Sequence, residues 1–182
     1  MKRREIMTAA LTWAVLDEAS VLHASSVPAS RLVVVGAGAD RWGNPLRAGG
    51  FGWVKVSSKD TGGAWSMFES PVAPQGGVPL HVHPHQEEWF QVLEGEFLFE
   101  VGGEQRRLIS GMSILGPRQV PHRWKNTGTS IGKLLFLVQP AGWLEECFAA
   151  LSQLPENQRR DVRRFTEILA QHDIQVVGPP LP

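Results

Sequence analysis

The segment Pro79–Gly95, PLHVHPHQEEWFQVLEG, decides the fold because it contains two strand-like runs separated by a turn. In the first run, His81 and His83 are two residues apart, so both side chains point to the same side of a β-strand. The second run, Glu88–Leu93, alternates between two faces and follows a turn that begins at Pro84. The segment therefore predicts two consecutive strands that run in opposite directions.

The same pattern extends over residues 31–138, where short strand-like runs are separated by Gly, Pro and Asn turns. Many short strands at close spacing, with no helical segment between them, predict an all-β fold, either a sandwich or a barrel of antiparallel strands. Besides the two runs above, the predicted strands are Arg31–Val35, Phe51–Val56, Ala64–Ser70, Glu96–Val101, Gln105–Ile109, Ser113–Leu115, Val120–Trp124 and Lys133–Val138.

The pattern becomes helical after Pro140. Apolar residues recur at helical spacing in two groups, which predicts a pair of C-terminal helices. Pro155 suits the first position of the second helix, where its missing N–H costs nothing. We therefore expect a β-domain over residues 31–140 and a helical cap and tail over residues 141–182. The apolar residues concerned are Leu144, Cys147, Phe148 and Leu151 in the first group and Val162, Phe165 and Leu169 in the second.

Composition excludes several classes of protein. The chain has 182 residues, and 18 Lys and Arg balance 18 Asp and Glu. A protein that binds nucleic acid through its phosphates would have a basic surplus, so no nucleic-acid partner is expected. No apolar run approaches the roughly 20 residues of a membrane span, so no membrane partner is expected either. Cys147 is the single cysteine, which excludes an intramolecular disulfide and a zinc site built from cysteines.

Residues 1–30 allow two interpretations. Arg3 and Arg4 precede a short apolar stretch, Thr8–Leu16, and Val27-Pro28-Ala29 supplies small residues. These features are typical of a twin-arginine export signal and would place the protein in the periplasm. The apolar stretch is brief, however, and Asp17-Glu18 ends it. An N-terminal arm of a cytoplasmic protein is therefore favoured.

Four side chains are candidate metal ligands: His81, His83, Glu88 and His122. His81 and His83 share one strand face, Glu88 begins the next strand, and His122 comes from a later strand. Three neutral imidazoles and one carboxylate suit a divalent transition metal such as Fe, Mn, Ni, Co, Cu or Zn. Two alternatives stay open. His85 could compete as a ligand from the turn, and Glu87 could replace Glu88 if the turn were one residue shorter.

Large apolar side chains are available to line a binding pocket near these ligands. Their low polarity suits an aromatic or otherwise planar organic molecule. The candidates for substrate contact are Phe90, Trp124, Phe136 and Met67, with Trp53, Phe97 and Phe99 as further possibilities.

Two motifs resemble those of the cupin superfamily. The first motif has His-x-His, four residues, Glu, six residues and Gly, which here are His81, His83, Glu88 and Gly95. The segment Gly111–Asn126, GMSILGPRQVPHRWKN, resembles the second motif. Its residues at the family spacing are Gly111, Pro117, His122 and Asn126. Two family glycines are replaced, by Gln75 and Gln119, and both fall at turn positions.

The resemblance implies a double-stranded β-helix, which is a jelly-roll barrel, commonly paired as a homodimer. It also implies a metal held by His81, His83, Glu88 and His122 inside the barrel. From Arg31 onward the chain is similar to bacterial single-domain cupins of the quercetin 2,3-dioxygenase-like type. Fold alone does not decide the reaction, because cupins catalyse many reactions.

The first functional hypothesis is a metal-dependent dioxygenase acting on a small aromatic or enolisable substrate, with Glu88 as the catalytic residue that accepts its proton. The second is a non-oxidative isomerase or lyase that uses the same ligands to polarise a carbonyl. A sugar phosphate would then need a cationic clamp, for which the strands offer only Arg106, Arg107, Arg118, Arg123 and Lys125. The third hypothesis is a non-catalytic module that binds a small molecule.

Overall fold

The computed structural model describes residues 32–48, 50–158 and 161–182. The predictions for residues 1–30 lie outside the described residues. No helix in the described ranges has the length and apolarity needed to cross a membrane. The strands of these ranges are β1 (Trp53–Val56), β2 (Ser66–Val72), β3 (Pro79–Val82), β4 (Glu87–Glu94), β5 (Glu96–Val101), β6 (Glu104–Ile109), β7 (Ser113–Gly116), β8 (His122–Asn126), β9 (Gly132–Gln139) and β10 (Gln175–Pro180).

The described strands form two antiparallel sheets of five strands each. The order is β1-β2-β9-β4-β7 in the first sheet and β10-β3-β8-β5-β6 in the second. Among the described residues the strands do not close into one barrel, but the two-sheet arrangement is consistent with a jelly roll. The consecutive strands β3 and β4 run into different sheets, so the turn between them carries the chain from one layer to the other.

Strand alternation places the core between the two sheets. On β4, Glu88, Phe90 and Val92 are buried, as the sequence pattern predicts. The ring of Phe90 lies 5.2 Å from that of Phe99, which belongs to the second sheet. Within the first sheet, Phe68 stacks on Phe136 with 5.0 Å between ring centroids. Burying an aromatic side chain stabilises the fold by about 1.5–3 kcal/mol, so this cluster holds the two layers together.

The two predicted helices are present as α1 (Leu144–Ser152) and α2 (Val162–Gln171). The prediction that α2 begins at Pro155 is wrong. A short 3-10 turn, Glu156–Gln158, follows Pro155 instead. Helix α2 begins after Asp161, whose carboxylate accepts hydrogen bonds from the backbone N–H groups of Arg163 and Arg164. This side-chain cap satisfies donors that a helix start otherwise leaves unpaired.

Two further predictions about strands are corrected. A strand was predicted for Arg31–Val35, but residues 32–35 have no regular secondary structure. Leu32 and Val34 are 85% and 79% exposed, because no described strand lies beside them. Conversely, the tail after α2 is not merely an extension of the cap. It contains β10, which pairs with β3 and places Val176 opposite His81.

Both positions at which the cupin glycines are replaced adopt left-handed backbone conformations. The backbone angle φ is 62° at Gln75 and 64° at Gln119. The N–H of Gln119 donates to the carbonyl of His83 at 2.9 Å, so this loop is tied to the His-x-His segment. A side chain with a Cβ costs about 1–2 kcal/mol in this conformation, whereas glycine adopts it freely.

We expect Gln119→Gly to raise the free energy of unfolding by about 0.5–1 kcal/mol, since relief of strain exceeds the added entropy of the unfolded glycine. The measurement is urea denaturation followed by circular dichroism. Gln175→Gly is the control, because Gln175 lies in strand β10 and its replacement should destabilise the protein by about 0.5–1 kcal/mol. A loss of stability in Gln119→Gly would contradict the strain argument.

Candidate metal centre

The structure brings His81, His83, Glu88 and His122 together between the two sheets. All four are buried, and their candidate ligand atoms lie within 4.8 Å of one another. His81 and His122 are directly opposite on β3 and β8 of the second sheet. Glu88 comes from β4 of the first sheet, and His83 follows the end of β3. The cluster therefore joins both layers of the fold.

One carboxylate oxygen of Glu88 faces all three imidazoles. Oε2 of Glu88 lies 3.1 Å from Nε2 of His122, 3.2 Å from Nε2 of His83 and 3.8 Å from Nε2 of His81. Adjacent ligand atoms that share an ion at bond lengths of about 2.0–2.2 Å are separated by about 3 Å. The spacing of the cluster is therefore close to that of a metal coordination sphere.

The other nitrogen of each imidazole is held by an oxygen acceptor. Nδ1 of His81 lies 2.9 Å from the carbonyl of Pro79, and Nδ1 of His122 lies 3.0 Å from the carbonyl of Val120. Since a carbonyl only accepts, each Nδ1 must donate its hydrogen. In the neutral ring the lone pair is then on Nε2, directed at Glu88. Metal-ligating histidines are oriented in this way by outer hydrogen bonds.

Gln86 holds the Nδ1 atom of His83 in the same way. Its Oε1 lies 3.1 Å from Nδ1 of His83, and its Nε2 donates to the carbonyls of Pro140 and Ala141 at 2.9 and 2.8 Å. The two carbonyls fix which end of the amide faces His83. Gln86 is 4% exposed. Nothing in the sequence marks this residue, because a Gln just before a strand gives no local signal of burial.

The charge balance of the cluster favours a positive charge at its centre. Burial alone would raise the pKa of the Glu88 carboxyl, but His122, His81 and His83 outweigh this effect and hold the pKa well below its usual range. Burial is the largest influence on His81 and lowers its pKa, which favours the neutral ring. Burial acts in the same direction on His83, but Glu88 and Gln86 outweigh it and raise the pKa of that ring. An ionised carboxylate that faces imidazole lone pairs needs a proton or a metal ion between them. The donor set fits a divalent transition metal.

The two alternative ligands lie outside the cluster. Glu87 pairs with Arg118 at the surface, and this pairing lowers the pKa of the Glu87 carboxyl. The imidazole of His85 is 75% exposed and lies 2.6 Å from the carboxylate of Asp173. Cys147 is buried, and burial raises its pKa to about 12, so its thiol is neutral and is not a ligand.

A glycine makes room for His122. Gly116 pairs with Glu88 across β4 and β7. A Cβ at Gly116 would lie 3.2 Å from the His122 ring, which is closer than ordinary van der Waals contact. In the sequence, Gly116 directly follows the predicted strand Ser113–Leu115 and gives no sign of this role. Its role became visible only when β7 and β8 were placed on opposite layers.

The cluster opens into a cavity of about 300 Å³. Phe90, Trp124 and Phe136, which the sequence analysis proposed for substrate contact, line it. Met67 does not: it lies on the opposite face of β2 from the buried Phe68. Both faces of the run Ala64–Ser70 carry large apolar residues, so alternation alone could not decide between them. Trp53 and the buried Phe97 and Phe99 are also absent from the described lining.

Helices α1 and α2 complete the wall of this cavity, a role that the sequence analysis did not foresee. They contribute apolar side chains, and no Lys or Arg is present among the described lining residues. The polar side chains in the lining are those of Ser70, His81, His83 and Glu88, besides the indole of Trp124. The helical contributions are Leu144, Phe148 and Leu151 from α1 and Phe165 and Leu169 from α2.

Comparison with known proteins identifies the central segment. Residues 69–138 match the family model described as "Cupin domain". Protein SchB of Streptomyces halstedii is 34% identical over 82 residues, which are 44% of this chain and 59% of that protein. The tetracenomycin polyketide synthase protein TcmJ of Streptomyces glaucescens is 30% identical over 80 residues, 43% of this chain and 54% of that protein. The chain thus spans between one half and three fifths of these relatives.

A solved structure from Klebsiella pneumoniae, described as an uncharacterized conserved protein with a double-stranded β-helix domain, is also similar. It is 21% identical, has a TM-score of 0.46, and the match covers 53% of this chain and 84% of that chain.

We expect His83→Ala to weaken the binding of a divalent metal by about 100-fold or more, because loss of an outer hydrogen bond alone costs about 10–100-fold. The metal content of the purified protein and a competition titration with a chelating dye measure this loss. His85→Ala is the matched control and should bind metal like the wild type. Equal loss in both variants, or full metal content in His83→Ala, would contradict the proposed ligand set.

We expect Gln86→Met to lower metal affinity by about 10–100-fold, since the variant keeps the ligand but removes the acceptor that orients it. Gln91→Met provides the control, because Gln91 lies on the other face of β4 from Glu88. Affinity is measured in folded protein below the thermal transition of each variant. An unchanged affinity in Gln86→Met would show that the His83 ring does not depend on this bond.

Proposed function

Since residues 69–138 are a cupin domain, we propose that this chain is a metal-dependent dioxygenase that acts on a planar phenolic or enolisable compound. One observation carries the proposal: the His81, His83, Glu88 and His122 cluster lies at the wall of an apolar cavity of about 300 Å³. This volume is at the lower end of the usual range for small-molecule sites. The proposal includes a small-molecule substrate. That two copies of the chain form a homodimer stays a prediction.

The lining of the cavity supports a neutral, planar substrate. Phe90, Phe136 and Trp124 offer aromatic surfaces, and aromatic rings pack well against flat molecules. The cationic side chains considered for a phosphate clamp lie elsewhere. Arg107 pairs with Glu96, Arg123 with Glu100, and Arg118 with Glu87. A sugar phosphate is therefore a poor fit to the described lining.

The relatives support the same class of substrate. The name of TcmJ refers to a polyketide synthase. Polyketide chains carry carbonyl groups on alternate carbons, so they enolise readily, and their cyclised products are planar phenols. Both properties suit a cavity that has apolar walls and a metal cluster on one side.

Glu88 is the group proposed to take the substrate proton. It is the one carboxylate among the described lining residues, and its low pKa keeps it ionised. The same low pKa makes it a weak base, so the proton transfer depends on the acidity that a bound metal would give the phenol or enol oxygen. The hydrogen-bonded imidazoles keep the cluster in a fixed geometry around Glu88, and the apolar walls of the cavity exclude water from it. When bound, a divalent metal supplies Lewis acidity toward the substrate oxygen and redox chemistry toward dioxygen.

A non-oxidative reaction at the same site is the second candidate. The names of the polyketide synthase relatives favour it, because assembling a polyketide requires enolisation but no dioxygen. The two candidates share the metal, the cavity and Glu88 as base. They differ in whether dioxygen is consumed, so the oxygen balance of the reaction separates them.

We expect Glu88→Gln to lower turnover by about 100- to 10,000-fold, the usual contribution of a general base, while the three histidines retain most of the metal. The measurement is oxygen uptake and product formation with catechols, flavonols and diketones, together with elemental analysis. Glu87→Gln is the matched control and should keep wild-type turnover, because Glu87 pairs with Arg118 outside the cluster.

Two results would count against the dioxygenase, and a third would count against the role of Glu88. Product formation without oxygen uptake would favour the non-oxidative reaction. Saturable binding without any product would favour a small-molecule-binding module. Unchanged turnover in Glu88→Gln would remove the proposed role of this carboxylate.

A further inference from the structure

Ser70 is a polar residue in the cavity wall, outside the metal cluster. It lies on the inward face of β2, is 8% exposed and lines the cavity. No hydrogen bond from its hydroxyl to another described residue is found. The described buried side-chain atoms that lack a partner are Ser66 Oγ and Arg123 Nε, so the Ser70 hydroxyl is open to the cavity instead. A hydroxyl that is open to an otherwise apolar part of a cavity is available to a ligand.

Strand register places Ser70 far from the metal cluster. Three cross-strand rows run over β2, β9 and β4 on the inward face of the first sheet. They are Ser66–Val138–Glu88, Phe68–Phe136–Phe90 and Ser70–Leu134–Val92. Ser70 is thus two rows along and two strands across from Glu88. These steps correspond to about 13 Å along the strands and about 10 Å across them.

The aromatic row lies between the two polar ends. Phe136 and Phe90 occupy the middle row and line the cavity together with Phe148 of α1. The Phe148 ring stands perpendicular to that of Phe136, with 6.1 Å between their centroids. A ligand that reaches from the cluster to Ser70 must therefore be long, flat and apolar in its middle part.

We infer that the Ser70 hydroxyl binds a second, neutral oxygen of the substrate, at the end remote from the metal cluster. This inference rests on the proposed function and narrows its substrate class to compounds of two or more linked or fused rings with a keto or hydroxyl group at each end. A serine can donate to a keto oxygen or accept from a hydroxyl. The lack of a described cation in the lining disfavours a carboxylate or phosphate at that end.

The test compares flavonols that share one chelating keto–hydroxyl pair and differ at the far end. Unsubstituted flavonol is set beside flavonols that each carry one hydroxyl at a different remote position. Binding to zinc-loaded protein is followed by quenching of tryptophan fluorescence, so no turnover is needed. We expect at least one hydroxylated flavonol to bind the wild type about five- to tenfold more tightly than it binds Ser70→Ala. Unsubstituted flavonol should bind both proteins equally.

Ser66→Ala is the matched control. Ser66 lies on the same strand and face as Ser70, is fully buried, and its hydroxyl also lacks a partner. It is in the same row as Glu88 but does not line the cavity. Ser66→Ala should therefore keep the wild-type preference for the hydroxylated flavonol. Loss of that preference in Ser66→Ala would overturn the assignment to Ser70.

Thermal unfolding separates a ligand-binding role from a structural one. Ser70→Ala should unfold at the same temperature as the wild type, because its hydroxyl makes no hydrogen bond to a described residue. A clear drop would show that the hydroxyl stabilises the fold and would overturn the inference. If flavonols bind the wild type but Ser70→Ala changes the affinity of none, the Ser70 inference alone fails. If no flavonol binds the wild type, both this inference and the proposed substrate class fail.

Discussion

The site depends on three imidazole rings that cannot turn away from one carboxylate. An oxygen acceptor holds Nδ1 of His81, His83 and His122, so each Nε2 is directed at Oε2 of Glu88. Lone pairs that face an ionised carboxylate repel it unless positive charge lies between them. The fold therefore builds a place for a cation before any cation binds. A site of this kind loses little free energy to reorganisation when the metal enters.

This constraint couples the two sheets and the C-terminal region. Glu88 belongs to the first sheet, whereas His81 and His122 belong to the second. Strand β10 pairs with the strand that carries His81, and α2 leads into β10 through the buried Ile174. Helix α2 also lines the cavity. The segment that encloses the cavity thus also supports the strand that carries His81, a candidate metal ligand, although it lies outside the segment matched to the cupin domain.

The cavity combines a polar end with a long apolar wall. Aromatic side chains of both sheets and of α1 surround its middle, and no Lys or Arg is among its described lining residues. Such a cavity discriminates by shape and by a few hydrogen bonds rather than by charge. The proposed substrate, a planar compound with neutral oxygens, follows from this distribution.

Much of the fold was accessible from local pattern. Nine of the strands agree with predicted runs to within a few residues, because alternation reports burial on one face. The two incorrect strand predictions have the same cause. Arg31–Val35 has strand-forming residues but no described neighbour to pair with. Strand β10 contains Gly178, Pro179 and Pro180, which read as a tail, yet β3 offers it an edge. Pairing between distant segments decided both cases.

The spacing of residues along the chain was enough to propose His81, His83, Glu88 and His122 as metal ligands, but it left His85 and Glu87 open as alternatives. Contacts between distant segments excluded those two and established what surrounds the cluster. Gln86 and Gly116 act on the histidines, Met67 faces away from the cavity, and Ser70 faces into it. The reason is physical: periodicity along one strand fixes the relative faces of its own residues. Which face meets which depends on contacts between segments far apart in the chain.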